Sequence, residues 1–511
     1  MAGLDADYIV VGGGLTGCLI ASRLSQSHKK PEVILLEAGS DPSSNPAAAG
    51  FLSGLSLLGG EFDYAYQSEP VVNTANRVHS LNSGKALGGG SILNYGGWLR
   101  ADAADYDKWA ETVGDKRWSY QGLKPWLRKS ECFYDSGADA DEHGFNARKY
   151  HLREPVKEAW AELGVYPNPH KNNGNITGLT EFYENSREGM RQPSYTAYPL
   201  TDVKVFTNTT VYRITFSDTT ATGVELADGC KITARKEVII CAGAYRTPQV
   251  LMLSGIGSPA TLTEHGIPIV HESPQVGQNL HDHFAIYISP FNPALFKGLP
   301  WDWVVSRPLP TEIISKYESK VEEQKRNLYE VITVYMPPGI PGIPIDGTHI
   351  ATSTMLLLPT SRGTVSIRSS SPNDPPRIQP NYLSTPLDRD TLVHATRQTL
   401  KAMLTTGPMK AIVDSESPPS GNGLDGLTPL AADASDEAIE QRIRRTGMQH
   451  HHSGGTAAMG TVVDGEGKVF GVKGLRVADA SIVPMPLSGH PQATLYAMAE
   501  QLASFIIEDA W

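Results

Sequence analysis

The sequence predicts an α/β chain of two domains, on three observations: a strand, glycine turn, helix and strand in that order at the N-terminus, a dense run of strand-like segments across residues 203–243, and proline-rich stretches that set these apart from a second group of strands. Tyr8-Ile-Val-Val is a short apolar run ending in glycines, Cys18 to Leu24 is helix-like, and Val33-Ile-Leu-Leu-Glu37 is a second apolar run, which together read as a β-α-β unit. Residues 51–61 mix Gly, Ser and Leu and read as a loop over something apolar. The runs starting at Val203, Thr210, Gly223 and Glu237 are rich in β-branched residues, as strands are, and the last reads as a buried strand. Proline-rich stretches near 290–310 and 337–344 mark a change of domain, and residues 348–358 and 363–368 beyond them read as strands of another sheet. Leu392, Thr396, Leu400 and Met403 have helical spacing, while 471–511 starts strand-like and finishes as an amphipathic helix.

Composition excludes several functions. With 511 residues, 40% of them hydrophobic, the chain buries a large core, and 19% charged residues is ordinary for an ordered enzyme. A net charge of −11 argues against nucleic acid, whose phosphates require clustered Lys and Arg. Cys18, Cys132, Cys230 and Cys241 are scattered without zinc or redox spacing. No apolar run reaches the roughly 18 residues of a membrane span, and residues 1–7 carry neither a basic stretch nor a signal-like apolar run, so a cytoplasmic location is expected. Two N-x-T sequons, at Asn175 and Asn208, leave secretion open for a chain that has lost a leader. Nothing in the sequence sets the oligomeric state.

Gly12, Gly14 and Gly17 form G-x-G-x-x-G directly after the first strand. The first permits a tight turn, the second admits a pyrophosphate, and the third lets helix and strand pack closely. Phosphate then lies at the helix start, at Leu15 and Thr16. Glu37, followed by Ala38, ends the second strand, where a carboxylate accepts hydrogen bonds from the ribose hydroxyls of an adenine dinucleotide and repels a 2′-phosphate. This motif does not separate NAD from FAD.

Four further segments make the separation. Gly84-Lys-Ala-Leu-Gly-Gly-Gly-Ser-Ile-Leu-Asn94 continues through Trp98, Ala101 and Asp107; a second segment runs from Gly243-Ala-Tyr-Arg-Thr-Pro to Gly257, a third is Val276-Gly-Gln-Asn-Leu-His-Asp-His283, and a fourth Gly474-Leu-Arg-Val-Ala-Asp-Ala-Ser481. With these, the chain resembles the glucose-methanol-choline oxidoreductase family over nearly its full length. The resemblance implies FAD, with the glycine loop against the flavin ring and contacts from Leu87, Gly88, Gly89, Asn94, Tyr95, Gly96 and Gly97. It extends the cofactor site to Val211, Asp479, Ala480, Gln492 and Ala493. Some members attach FAD through a histidine in the first of these segments; Leu93 stands there, so non-covalent FAD is expected. The implied fold is a discontinuous, Rossmann-like α/β FAD-binding domain (1–145, 203–290 and 445–511) with an α+β substrate domain on an antiparallel sheet (146–202 and 291–444).

Two C-terminal segments supply acid-base groups: His450-His-His-Ser-Gly-Gly-Thr456 and Ser488-Gly-His490. Aligned on Gly455 and Thr456, the family pattern puts its first active-site histidine at His452 and the second at His490, the His/His subtype of aryl-alcohol oxidase-like members. His450 and His451 leave the register open. Adjacent histidines point in different directions and have no Cys or carboxylate at ligand spacing, so no metal is expected. His281 and His283 belong to a context that is structural in the family and are left out of catalysis. The resemblance implies oxidation of a small alcohol: His452 removes the hydroxyl proton, His490 positions the oxygen, hydride passes to flavin N5, and electrons leave to dioxygen or a quinone-type acceptor. A non-redox cyclase or isomerase using the same histidines is the alternative, and a non-catalytic flavin-binding protein a weaker one because both histidine positions are filled. Segments 284–287, 301–303 and 335–343 hold aromatics and prolines that fit either ordinary packing or an apolar pocket wall. With no evident anionic box for a quaternary amine, the substrate is expected to be an aromatic or apolar alcohol.

Overall fold

The computed structural model describes residues 3–50, 53–132, 151–187, 189–292, 301–317, 326–335 and 339–509. The 145/146 domain boundary and parts of the segments at 51–61, 290–310 and 335–343 lie outside these residues.

The N-terminal unit forms as its sequence dictates. Strand Asp5–Val11 leads through the glycine turn into helix Leu15–Ser25 and back to strand Val33–Leu36, and both strands are almost wholly buried. Their all-apolar runs suit a parallel sheet covered on both faces. Val203–Phe206, Val33–Leu36, Asp5–Val11 and Lys231–Ile240 lie side by side in parallel. The last is long enough to take two partners on its free edge: Thr220–Leu226 runs antiparallel against its first half, and Leu475–Val477 parallel against its second. The C-terminal helix Pro491–Asp509 packs beside Leu15–Ser25, and the two are tied by Arg23 and Glu500 at 2.6 Å.

The second sheet is antiparallel throughout, in the order Met448–Gln449, Phe284–Ile288, Ala351–Leu356, Tyr329–Val334, Trp301–Arg307, Gly178–Glu181. Two of its strands, Phe284–Ile288 and Met448–Gln449, fall within the stretches the sequence boundaries give to the dinucleotide domain. The third of the family segments ends at His283, and nothing in the local pattern marks that the next residue belongs to another sheet. Residues 363–368 contribute strand Thr364–Ser366, which pairs with Arg377–Gln379 in a small separate ladder rather than with the large sheet. Helix Pro386–Leu404 covers the back of the second sheet, where Thr354 and Thr399 share a 2.9 Å hydrogen bond. The other face looks towards the dinucleotide domain, and the cavity lies between the two sheets.

Candidate active site

A cavity of about 330 Å³ runs from Glu37, Tyr64 and Arg246 at one end to Tyr287, Ser353 and the histidines at the other. The glycine turn forms its first wall. Gly12 adopts φ +102°, and a Cβ there would lie 2.4 Å from the Cys241 carbonyl oxygen. A Cβ on Gly17 would sit 1.9 Å from the Gly12 oxygen, so the close contact of helix and turn requires glycine. Gly14 differs: its nearest neighbour to a Cβ is 3.9 Å away, and Gly90 and Gly243 have nothing within 4 Å. All three line the cavity, so their missing side chains leave room for a ligand rather than for protein. The opening N–H groups of helix Leu15–Ser25 have no intrahelical partners and suit a phosphate.

Glu37 lines the same wall. Its carboxylate accepts the N–H groups of Gly13 at 2.8 Å and Gly39 at 2.7 Å. Burial pushes its pKa up to about 7 against the opposing pull of these bonds. Asp479 accepts from Gly243 N–H at 2.9 Å and Thr247 Oγ1 at 2.6 Å, which anchors the start of helix Gly243–Leu253 at the cavity. Asn94 donates to Gln492 Oε1 at 2.8 Å, and Gln492 donates to the Gly97 carbonyl at 3.1 Å, joining the glycine loop to the C-terminal helix.

Of the cofactor residues expected from sequence, Gly12, Gly14, Leu15, Thr16, Glu37, Ala38, Gly89, Asn94, Tyr95, Gly97, Val211, Asp479, Ala480 and Gln492 line the cavity. Gly17, Leu87, Gly88, Gly96 and Ala493 stand behind it. Gly17 packs on Gly12, and Leu87 is buried against Gly13. Gly88 donates its N–H to the Gly13 carbonyl at 2.7 Å, Gly96 takes a turn at φ +73°, and Ala493 is buried within its helix. These five shape the cradle from the second layer. Leu93 lines the cavity.

At the far end His452 and His490 face each other with ring centroids 4.9 Å apart. His450 joins them, 5.1 Å from His452, with Nε2 3.2 Å from Ser353 Oγ. His451 takes φ +60° and lines the cavity nearer Tyr95. His490 reaches the chamber because Gly97 has no side chain: a Cβ there would lie 3.0 Å from His490 Nδ1. The opposite ring nitrogen, Nε2, donates to Glu330 Oε1 at 2.8 Å. Glu330 Oε2 is 3.1 Å from Lys171 Nζ, with all three side chains buried. Burial alone would raise the Glu330 pKa, but Lys171 and His490 outweigh it and hold the carboxyl ionised, well below its usual range. Burial, reinforced by the neighbouring histidines, holds the His452 and His450 pKa values well below the ordinary value, so both are neutral at pH 7.

The chamber floor is one row across the second sheet, Tyr287, Ser353 and Ile332 lying opposite one another on three adjacent strands. Along strand Tyr329–Val334, Glu330, Ile332 and Val334 alternate onto the same face. Phe182 and Tyr95 complete the wall, and no charged side chain lines this end among the described residues. Among the described residues of the aromatic segments singled out in sequence, only Tyr287 supplies wall. Trp303 is buried in the core with its N–H on the Arg153 carbonyl, and Tyr335, Ile340 and Ile343 are core as well. Glu330 and Lys171 carry no sequence signal, being single residues in unrelated segments.

A nucleotide cradle joined to a chamber of paired histidines defines a dinucleotide-dependent oxidoreductase. The chain belongs to the GMC oxidoreductase family, whose N-terminal pattern matches residues 6–285 and whose C-terminal pattern matches residues 359–499. As such it is an FAD-binding enzyme acting on CH–OH donors. It is 38% identical to the GMC-type oxidoreductase acuG of Aspergillus aculeatus, over 98% of this chain and 99% of that one. It is 30% identical to patulin synthase of Penicillium expansum, over 97% and 91% of the two chains. Formate oxidase of Aspergillus oryzae superposes with a TM-score of 0.89 at 26% identity, covering 100% of this chain and 99% of that one. No described helix is long and apolar enough to cross a membrane.

Proposed function

We propose that the chain oxidises a neutral, apolar or aromatic alcohol, with His452 accepting the hydroxyl proton and His490 holding the oxygen. The observation that carries this reading is the imidazole pair, 4.9 Å apart, in an uncharged chamber at the end of a dinucleotide-shaped cavity. FAD, held by the glycine turn, Glu37 and the 84–97 loop, supplies the acceptor for the carbinol hydride. His452 is the base because it is neutral and a ring nitrogen with a lone pair can take the proton. His490 is fixed from behind by its Nε2, which donates to the ionised Glu330, so that its other ring nitrogen, beside Gly97, is held at the chamber to position the substrate oxygen. Phe182, Ile332 and Val334 exclude water and favour an apolar body on the alcohol. A quaternary ammonium or a carboxylate would find no opposite charge at this end among the described residues. Likeness to patulin synthase is in keeping with a substrate from secondary metabolism. FAD is held without a covalent bond, Leu93 standing where a histidine would attach it.

Anaerobic mixing of the holoenzyme with benzylic, aliphatic and cationic alcohols tests the reading. Neutral alcohols should bleach the flavin band and choline should not; product without bleaching would mean non-redox chemistry and overturn it. Peroxide yield with and without an added quinone identifies the electron acceptor, and acid precipitation should leave the flavin in the supernatant. His452→Ala and His490→Ala should each lower the bleaching rate by roughly 10²–10⁴-fold, with the flavin retained.

A further inference from the structure

We infer that His283 is a positioning residue that fixes the ring tautomer of His452, so that Nε2 of His452 carries the lone pair that meets the substrate. The inference deepens the proposed function and rests on its assignment of His452 as the base.

The argument runs inward from a backbone carbonyl. His283 Nε2 lies 3.0 Å from the Leu487 carbonyl oxygen, which can only accept, so this nitrogen carries a proton. His283 is buried, and burial, helped by His490, holds its pKa down to about 4, so the ring is neutral and Nδ1 bears a lone pair. That Nδ1 is 2.8 Å from His452 Nδ1. Two nitrogens share one hydrogen bond only when one of them donates, and His283 has no proton left to give on that side. His452 therefore carries its proton on Nδ1. Its other nitrogen, Nε2, takes part in no hydrogen bond among the described residues, and the His452 ring lines the cavity. In water a free histidine side chain prefers the opposite tautomer, with the proton on Nε2, which would turn a donor rather than a base towards an alcohol. Selecting the less common form requires an acceptor at Nδ1, and His283 is that acceptor.

The surrounding segment is built for the same purpose. Asp282 accepts the backbone N–H of His452 at 2.7 Å, and Tyr382 donates to Asp282 at 2.9 Å. His281 and Gly454 exchange backbone hydrogen bonds at 3.1 and 2.9 Å. A Cβ on Gly454 or Gly455 would come within 2.8 Å of the His281 ring, so the two glycines after Ser453 let this segment close on its partner. Residues 281–283 thus hold the backbone of the His452 loop and its ring together.

The test reads the tautomer directly. Holoenzyme labelled with ¹⁵N-histidine is examined by long-range ¹H–¹⁵N correlation, with His452 assigned from the His452→Asn spectrum. The expected pattern is a protonated Nδ1 and a bare Nε2 on His452, with a protonated Nε2 on His283. His283→Phe should move the His452 proton to Nε2 and lower kcat roughly 10²–10⁴-fold, with KM and flavin content little changed. His283→Asn, whose Oδ1 can stand where Nδ1 stood and accept the same bond, should keep the tautomer and most of kcat. A protonated Nε2 on His452 in the unaltered enzyme would overturn the inference. So would a His283→Phe variant with normal kcat, or equal loss of flavin from both variants, which would mark a packing role. The spectrum reports the tautomer whether or not alcohols are oxidised, so failure of the proposed function is seen separately.

Discussion

The carboxyl of Glu37 stands where the glycine turn meets the cavity. Its place at the end of the second strand leads to the expectation of a ribose acceptor, while nothing in the sequence marks it as a brace for the glycine turn through Gly13 and Gly39. Burial raises its pKa to about 7. Ribose hydroxyls donate to an ionised carboxylate, so binding favours the charged form and releases the proton from whatever fraction is protonated. FAD affinity should therefore weaken as pH falls from 8 to 6 and level off above the raised pKa. Titration of flavin-stripped protein at each pH measures this, and Glu37→Gln should flatten the dependence while weakening binding overall. His283 was legible as a residue but not in its role, because the bond that defines the role joins positions far apart in the chain. Lys171 and Glu330, which stand behind His490, are hidden for the same reason.

At the scale of elements, the glycine turn makes two neighbouring glycines do different work. Gly17→Ala would drive a Cβ into the Gly12 oxygen at 1.9 Å, which the helix start cannot relieve without moving. A loss of roughly 1–3 kcal/mol or more is expected from such overpacking, read as a lower denaturation midpoint. Gly14 has φ −75°, an ordinary backbone for any residue, and open space beside it. Gly14→Ala should fold with an unchanged circular dichroism spectrum and bind FAD far more weakly. Equal stability losses in both variants would contradict this division. Most strands were readable because they are short apolar runs bounded by turns, as in Val33–Leu36 and Val203–Phe206. Phe284–Ile288 was recognisable as apolar but not assignable to a sheet, since strand partners are set by distant chain rather than by local pattern.

Across the whole molecule, the cavity is lined by both sheets and by the C-terminal segment, so a ligand bound there would bridge them. Removing FAD should lower Tm, and restoring it at a hundredfold excess over Kd should return about 2.7 kcal/mol. Probes in either sheet should report the same shift if the cavity couples them; two separate transitions would show that it does not. The division into a dinucleotide part and a substrate part was legible from motif order, whereas the strands that cross between the parts were not. The floor row of Tyr287, Ser353 and Ile332 is held in place by backbone ladder bonds that do not depend on side-chain identity. For a lineage changing its diet of alcohols, those three positions are interchangeable tiles: the surface they present can be recut by single codons while the sheet beneath and the histidines above stay where they are.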